Sequence, residues 1–332
     1  MRLLAIYPQD GLGTECEPDD VDCGVPTNAT ISLRFDRFLN PLTANRQAIR
    51  VYSGDPASSG AIPYQVTYDP VERVVQYRLP PGYAYEPNAL YRIELVVPAP
   101  DDEYGVRAFD GAPLADAGDV PLAASFFTGP GPVDQPAGEA PSCAQIVEQV
   151  FLSAPASCGR GSCHSSLAPQ GAPHGLWLDS GANFSATAIE RVARQTELGD
   201  RSGGIPLERP ARFGVRMPLV MPGSPGGSYL MYKLMRDPRA FEPCSEDDPE
   251  LEGSMSELCR ENADACVSAY PDIPLADGTC LAPPEEELTR LREWFVRGEP
   301  MPIPRPVARY LGLQQLRAVS RFIAAGADCA AE

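Results

Sequence analysis

The chain has 332 residues, room for two domains of ordinary size, and its 43% hydrophobic and 22% charged residues support folded cores and exclude wholesale disorder. A formal charge of −18 repels nucleic-acid phosphates and anionic headgroups, which argues against a nucleic-acid partner. With 37 prolines and 29 glycines the chain is expected to be rich in turns and long ordered loops, and it contains no run of about 18 apolar residues that would make a transmembrane helix.

Met1-Arg2-Leu3-Leu4-Ala5-Ile6 begins like an export signal, but its apolar run stops at Pro8. A secretory core needs about 7–15 apolar residues, so the expectation is a signal already removed or a start lying upstream. From 25 to 128 the pattern has period two. Ile31, Leu33 and Phe35 fall on one face of a strand over 30–35, with Ser32 and Arg34 on the other. Further strands are expected at 49–52, 64–68, 74–79, 91–97 and 124–128. They are separated by Asn40-Pro41, Ser53-Gly54-Asp55-Pro56, Asp69-Pro70, Pro80-Pro81-Gly82 and Asp110-Gly111. Short alternating runs at this spacing predict an all-β sandwich.

Val25-Pro26-Thr27-Asn28-Ala29-Thr30-Ile31, Leu39-Asn40-Pro41-Leu42-Thr43, Pro87-Asn88-Ala89-Leu90-Tyr91 and Ser125-Phe126-Phe127-Thr128-Gly129 follow one another in the order found in bacterial Ig-like domains. The chain resembles that family over 1–129. The resemblance implies a spacer or adhesion module with no catalytic residues. Cys16 and Cys23 bracket a short acidic loop, for which a local disulfide is the simplest expectation. Residues 130–141, rich in proline and glycine and without apolar periodicity, read as a linker.

Beyond the linker the period changes. Ser142 is placed to cap a helix carrying Ile146, Val147, Val150 and Phe151. A second helix is expected from near Ser185 with Ile189 and Val192 on its stripe, and a third from Ser228. A fourth starts at Pro284 with Glu285, Glu286 and Glu287 at its positive end and Gly298 at its stop. A last one runs from Leu313 and is closed by Gly326. The second half is thus expected to be mainly α with long connections.

The chain has two histidines and ten cysteines; an even cysteine count in loop-rich sequence points to disulfides and an oxidising compartment. One histidine ends the run Cys158-Gly159-Arg160-Gly161-Ser162-Cys163-His164. A Cys-His pair closing a two-cysteine motif is the mark of covalent haem attachment. Two thiols bond the porphyrin edge, and the next residue supplies a nitrogen beneath the iron. Four residues separate these cysteines where the common motif has two. The other reading is a Cys158–Cys163 disulfide in a Gly-rich turn with His164 at the surface.

A helix before the motif, Gly298-Glu299-Pro300-Met301-Pro302 far downstream, and a closing helix from Leu313 repeat the order of small c-type cytochromes. With Gly175-Leu176-Trp177-Leu178-Asp179, Pro222-Gly223-Ser224-Pro225 and Ser228-Tyr229-Leu230, residues 142–332 resemble the planctomycete-type cytochrome c domains also found in large myxobacterial secreted proteins. The resemblance implies haem c on Cys158 and Cys163, with His164 and Met301 as the iron ligands. Met217, Met221 and His174 are rivals for the second position, and a core methionine is the alternative for Met301. It also implies that the first and last helices touch, which allows a Cys143–Cys329 bridge. The chain departs from the family in its cysteine spacing and in an acidic insertion at about 237–282. There Cys244, Cys259, Cys266 and Cys280 lack Cys-x2-Cys pairs and read as two disulfides rather than a zinc site.

No Gly-rich phosphate loop, no serine nucleophile elbow and no set of three histidines is present. The expected protein is therefore multidomain, an all-β Ig-like sandwich followed by a mainly α cytochrome c-like domain with long disulfide-bearing loops. Its expected role is a secreted or lipid-anchored carrier of single electrons, periplasmic, outer-membrane-associated or extracellular, rather than a substrate-converting enzyme. Its partner would be a redox protein or a cell-surface component. The alternative is a haem-less, disulfide-stapled cell-surface interaction module.

Overall fold

The computed structural model describes residues 1–15, 23–54, 62–97, 104–116, 120–134, 139–153, 158–160, 163–167, 175–193, 217–236, 241, 267–276, 280–296 and 311–329. They form two compact units, Met1–Tyr68 with Glu72–Gly138 and Ala269–Pro274, and Asp69–Val71 with Glu139–Ser268 and Leu275–Glu332.

The first unit holds two antiparallel sheets. One has the order β1-β2-β5-β4, with β1 Leu3–Tyr7, β2 Ile31–Phe35, β4 Gln65–Asp69 and β5 Val74–Arg78; the other runs β3-β6-β7, with β3 Ile49–Ser53, β6 Leu90–Leu95 and β7 Ala123–Phe127. Their residues are the β-branched and aromatic ones that fit a pleated surface. Register follows burial: Leu33 pairs Val75 and Ile31 pairs Tyr77 across β2 and β5, while Ile93 pairs Ala124 across β6 and β7. One apolar cluster draws on both sheets, with Ile31, Leu33, Phe35, Val75, Tyr77, Ile93 and Phe126 fully enclosed. The Tyr64 and Tyr85 hydroxyls meet inside it at 2.9 Å. Burial pushes the hydroxyls of Tyr64, Tyr77 and Tyr85 above the usual tyrosine range.

The opening stretch, whose apolar run is too short for an export signal, holds β1, paired with β2 from Leu3↔Phe35 to Tyr7↔Ser32. One expectation is corrected here: β2 is buried on both faces, so Arg34, assigned to the opposite face from the core residues, is 1% exposed. Its Nη1 donates to the carboxylate and the backbone carbonyl of Glu72, each at 3.2 Å, and its Nη2 donates to the Ile273 carbonyl at 3.0 Å. The Ala269 N–H donates to the other Glu72 oxygen at 3.3 Å. A short piece from far downstream, 269–274, thus completes this unit, with Ile273 buried in it.

Among its described residues the second unit is not mainly α, and the expected fold class is overturned on that point. Among the described residues its helices are short: α1 Cys143–Ile146, which continues as a π-helical turn Val147–Phe151, α2 Gly181–Ala188, α3 Tyr229–Leu234, α4 Glu285–Trp294 and α5 Leu313–Ala324. The physical reason lies in how each one stops. The first ends by Leu152 after its π turn. α2 starts four residues earlier than expected because Ser180 caps it, accepting from Asn183 N–H at 3.2 Å. Ile189 and Val192 then fall beyond its end and bridge Val220 and Pro218 as extended backbone. Apolar residues assigned to a helical stripe therefore pack from irregular chain. Phe151, Phe184 and Phe322 form one aromatic cluster and Tyr229, Tyr232 and Phe295 another. No described helix is long and apolar enough to cross a membrane.

Candidate functional site

The two-cysteine motif follows the first helical segment, whose start is fixed by reciprocal capping. Ser142 Oγ accepts from Gln145 N–H, and Gln145 Oε1 accepts from Ser142 N–H. A disulfide joins Cys143 to Cys329 beyond α5, with the Cα atoms 5.1 Å apart, and Gln315 Nε2 of α5 donates to the Gln149 carbonyl at 3.1 Å. The Gly159 N–H, in turn, donates to the Phe151 carbonyl at 2.9 Å, so the motif hangs directly from this anchored segment.

Within the motif the His164 N–H donates back to the Cys158 carbonyl at 2.8 Å. Cys158 is buried and Cys163 exposed, and no disulfide joins them. Residues 176–179 run alongside. The Leu178 N–H donates to the His164 carbonyl at 2.7 Å, and the Leu176 carbonyl lies 3.1 Å from His164 Nδ1. A carbonyl only accepts, so Nδ1 carries the proton of the neutral ring and Nε2 is left as its basic nitrogen. Gly159 permits the close approach: a Cβ there would sit 2.5 Å from the Leu178 carbonyl oxygen and 2.9 Å from Leu152 Cδ2.

A cleft of about 510 Å³ opens beside the motif, lined among others by Gly159, Arg160, Ser165, Ser166, Asp179 and Asn183. Among the described residues that line it, Cys158, Cys163 and His164 are absent. Burial raises the Asp179 carboxyl, but hydrogen bonds from Ser166 and Asn183 outweigh it and hold that group below the ordinary carboxylate range.

The donor set fits covalent haem: two thiols outside any disulfide, followed by a histidine whose Nδ1 is engaged by backbone and whose Nε2 has ligand character. Of the candidates for the opposite ligand, Met301 and His174 lie outside the described residues. Met217 is buried, and the Met221 thioether is folded over Gly227, 3.0 Å from where its Cβ would stand. Cys23 and Cys280 are disulfide-bonded, with Cys16, Cys244, Cys259 and Cys266 outside the described residues. The signals sequence reasoning missed are the Leu176 carbonyl and Asp179. An aspartate directly before a helix-capping serine was the available hint. No protein-family model matches this chain, and no curated protein matches it.

Proposed function

We propose that the second unit carries haem c on Cys158 and Cys163, with His164 Nε2 as an iron ligand, and that the protein is a carrier of single electrons. The observation behind this reading is the Nδ1 contact to the Leu176 carbonyl at 3.1 Å. An imidazole anchored at Nδ1 by backbone is oriented for a metal at Nε2 and made more basic there. A second support comes from the cysteines. Cys23, Cys143, Cys280 and Cys329 are in disulfides whereas Cys158 and Cys163 are not, as thiols reserved for thioether bonds should be. When bound, haem supplies a reversible one-electron iron couple.

The chain's own residues do the rest. The Cys158 carbonyl and the Leu178 N–H hold the histidine's backbone from two sides, and Gly159 keeps 176–179 in close contact. Met301 is proposed as the second ligand on its place before α5. The first unit, on its resemblance to bacterial Ig-like domains, would hold the redox unit at a cell surface or against a redox partner, in a secreted or lipid-anchored protein. The neighbouring cleft, with Arg160, Ser166, Asp179 and Asn183 on its wall, favours a second reading, a haem-less surface interaction module.

The deciding experiment is an absorption spectrum, oxidised and dithionite-reduced, of the full chain exported from a host with cytochrome c maturation. A sharp reduced α-band that survives acid-acetone extraction and is lost in Cys158→Ala/Cys163→Ala supports the carrier. A colourless protein sinks it and leaves the interaction module.

A further inference from the structure

The backbone that holds the His164 ring is itself held, and the residue at the junction is Asp179. Asp179 Oδ2 accepts from the Ser166 N–H at 2.6 Å, the Ser166 hydroxyl at 2.5 Å and the Ser165 hydroxyl at 3.3 Å. Its Oδ1 accepts from Asn183 Nδ2 at 2.8 Å. One helical turn on, Thr187 Oγ1 accepts from the Trp177 N–H at 3.0 Å and lies 2.7 Å from the Asn183 carbonyl. Asn183 and Thr187 stand four residues apart on one face of α2, so they grip the chain at 177 and 179. Between those grips Leu178 is 3% exposed and bonds the His164 carbonyl, and just before them Leu176 bonds the ring.

We infer that Asp179 is a positioning residue for His164, locking the two residues after the histidine to α2 so that the Leu176 carbonyl stays on Nδ1. Asp179 does not touch the imidazole. It acts through Ser165 and Ser166 on one side and through Asn183 on the other. A carboxylate suits the site because the groups facing it donate, and its two oxygens with free lone pairs take them all. An amide at 179 loses the charge that draws the serine hydroxyls and meets the NH₂ of Asn183 with its own, unless Asn183 turns over and gives up its present geometry. Exchanging the two residues restores a donor–acceptor pair while leaving an oxygen for Ser166.

The ligand role of His164 rests on the function proposed above; the positioning does not require haem, and the test is built to separate them. The probe is ¹⁵N NMR of the imidazole in the full-length haem-free chain carrying His174→Gln, which leaves one histidine. The wild-type background should give a single Nδ1–H tautomer with slowed exchange of that proton. Asp179→Asn should lose this signature and give a fast-exchanging tautomer mixture. Asp179→Asn/Asn183→Asp should regain it.

An Nδ1–H signal unchanged in Asp179→Asn overturns the inference. If Asp179→Asn unfolds α2 by hydrogen exchange, an exchanged pair that regains the helix without the tautomer also overturns it. A chain that binds no haem yet shows the expected pattern fails only the carrier proposal, and a haem-binding chain indifferent to Asp179→Asn fails only this one.

Discussion

Replacing Arg34 by Met should destabilise the first unit far more than its place on a sheet strand implies. The Arg34 and Glu72 side chains are 2% and 0% exposed, so neither ion recovers solvation when its partner goes. Removing one member of a buried pair costs about 3–5 kcal/mol, and the Ile273 carbonyl also loses its Nη2 donor, at about 1–3 kcal/mol. Because those figures overlap in what they count, about 3–5 kcal/mol is the expected total, two to nearly four decades in the opening equilibrium at 1.4 kcal/mol per decade.

Glu72→Gln should cost as much or more, since it leaves two buried cations, Arg34 and Arg73, close together. Arg34→Met/Glu72→Met removes the charge problem and should cost less than the two single changes together, retaining the hydrogen bonds lost by the Ile273 and Glu72 carbonyls and by the Ala269 N–H. The assay is native-state hydrogen exchange with mass spectrometry on peptides covering β2 and β5, which reports the first unit by itself. A double variant whose loss equals the sum of the singles would refute the reasoning, because it would mean the two charges do not depend on each other.

Three further outcomes are expected. Gly159→Ala places a methyl 2.5 Å from the Leu178 oxygen and should cost about 1–3 kcal/mol while raising hydrogen exchange across 176–179; unchanged exchange there would count against the close approach. Cys143→Ser/Cys329→Ser opens a bridge spanning 186 residues and should cost about 2–5 kcal/mol, read as a lower denaturant midpoint with α1 and α5 losing exchange protection first. Tyr64, Tyr77 and Tyr85 have folded pKa values above the unfolded value, so their contribution is intact below pH ~10 and falls as pH rises beyond it. The slope is about 1.4 kcal/mol per pH unit for each tyrosine. Absorbance at 295 nm should show these tyrosines ionising only as the unit unfolds, and a full tyrosinate signal in a folded chain would contradict the burial.

Much of the first unit was legible because a sheet strand writes its faces into alternate residues: Ile31, Leu33 and Phe35 face the core as their spacing says. What the spacing does not carry is that the other face is also covered. Arg34 reads as solvated until a segment some 240 residues later supplies its acceptor. In the second unit the apolar stripes misled at their ends. Ile189 and Val192 extend the helical period of α2 on paper, yet the chain turns extended there and their partners are Val220 and Pro218, which no local pattern announces. The same holds at the candidate site. Cys158, Cys163 and His164 announce themselves by adjacency, whereas the Leu176 carbonyl is a backbone atom and leaves no trace in residue identity.

The segment 269–274 has a consequence for the order in which the protein is made. A chain emerging from its N-terminus exposes every strand of the first unit long before Pro274 is available, so Arg34 and Glu72 must wait, still hydrated, for the carbonyl and the N–H that let them dry. Domains that lead a chain usually finish folding as they appear. This one cannot close its second β2 face until the residues of the later half have been delivered, and any fragment cut between the two would release a sheet with Arg34 exposed on a face that the native unit buries.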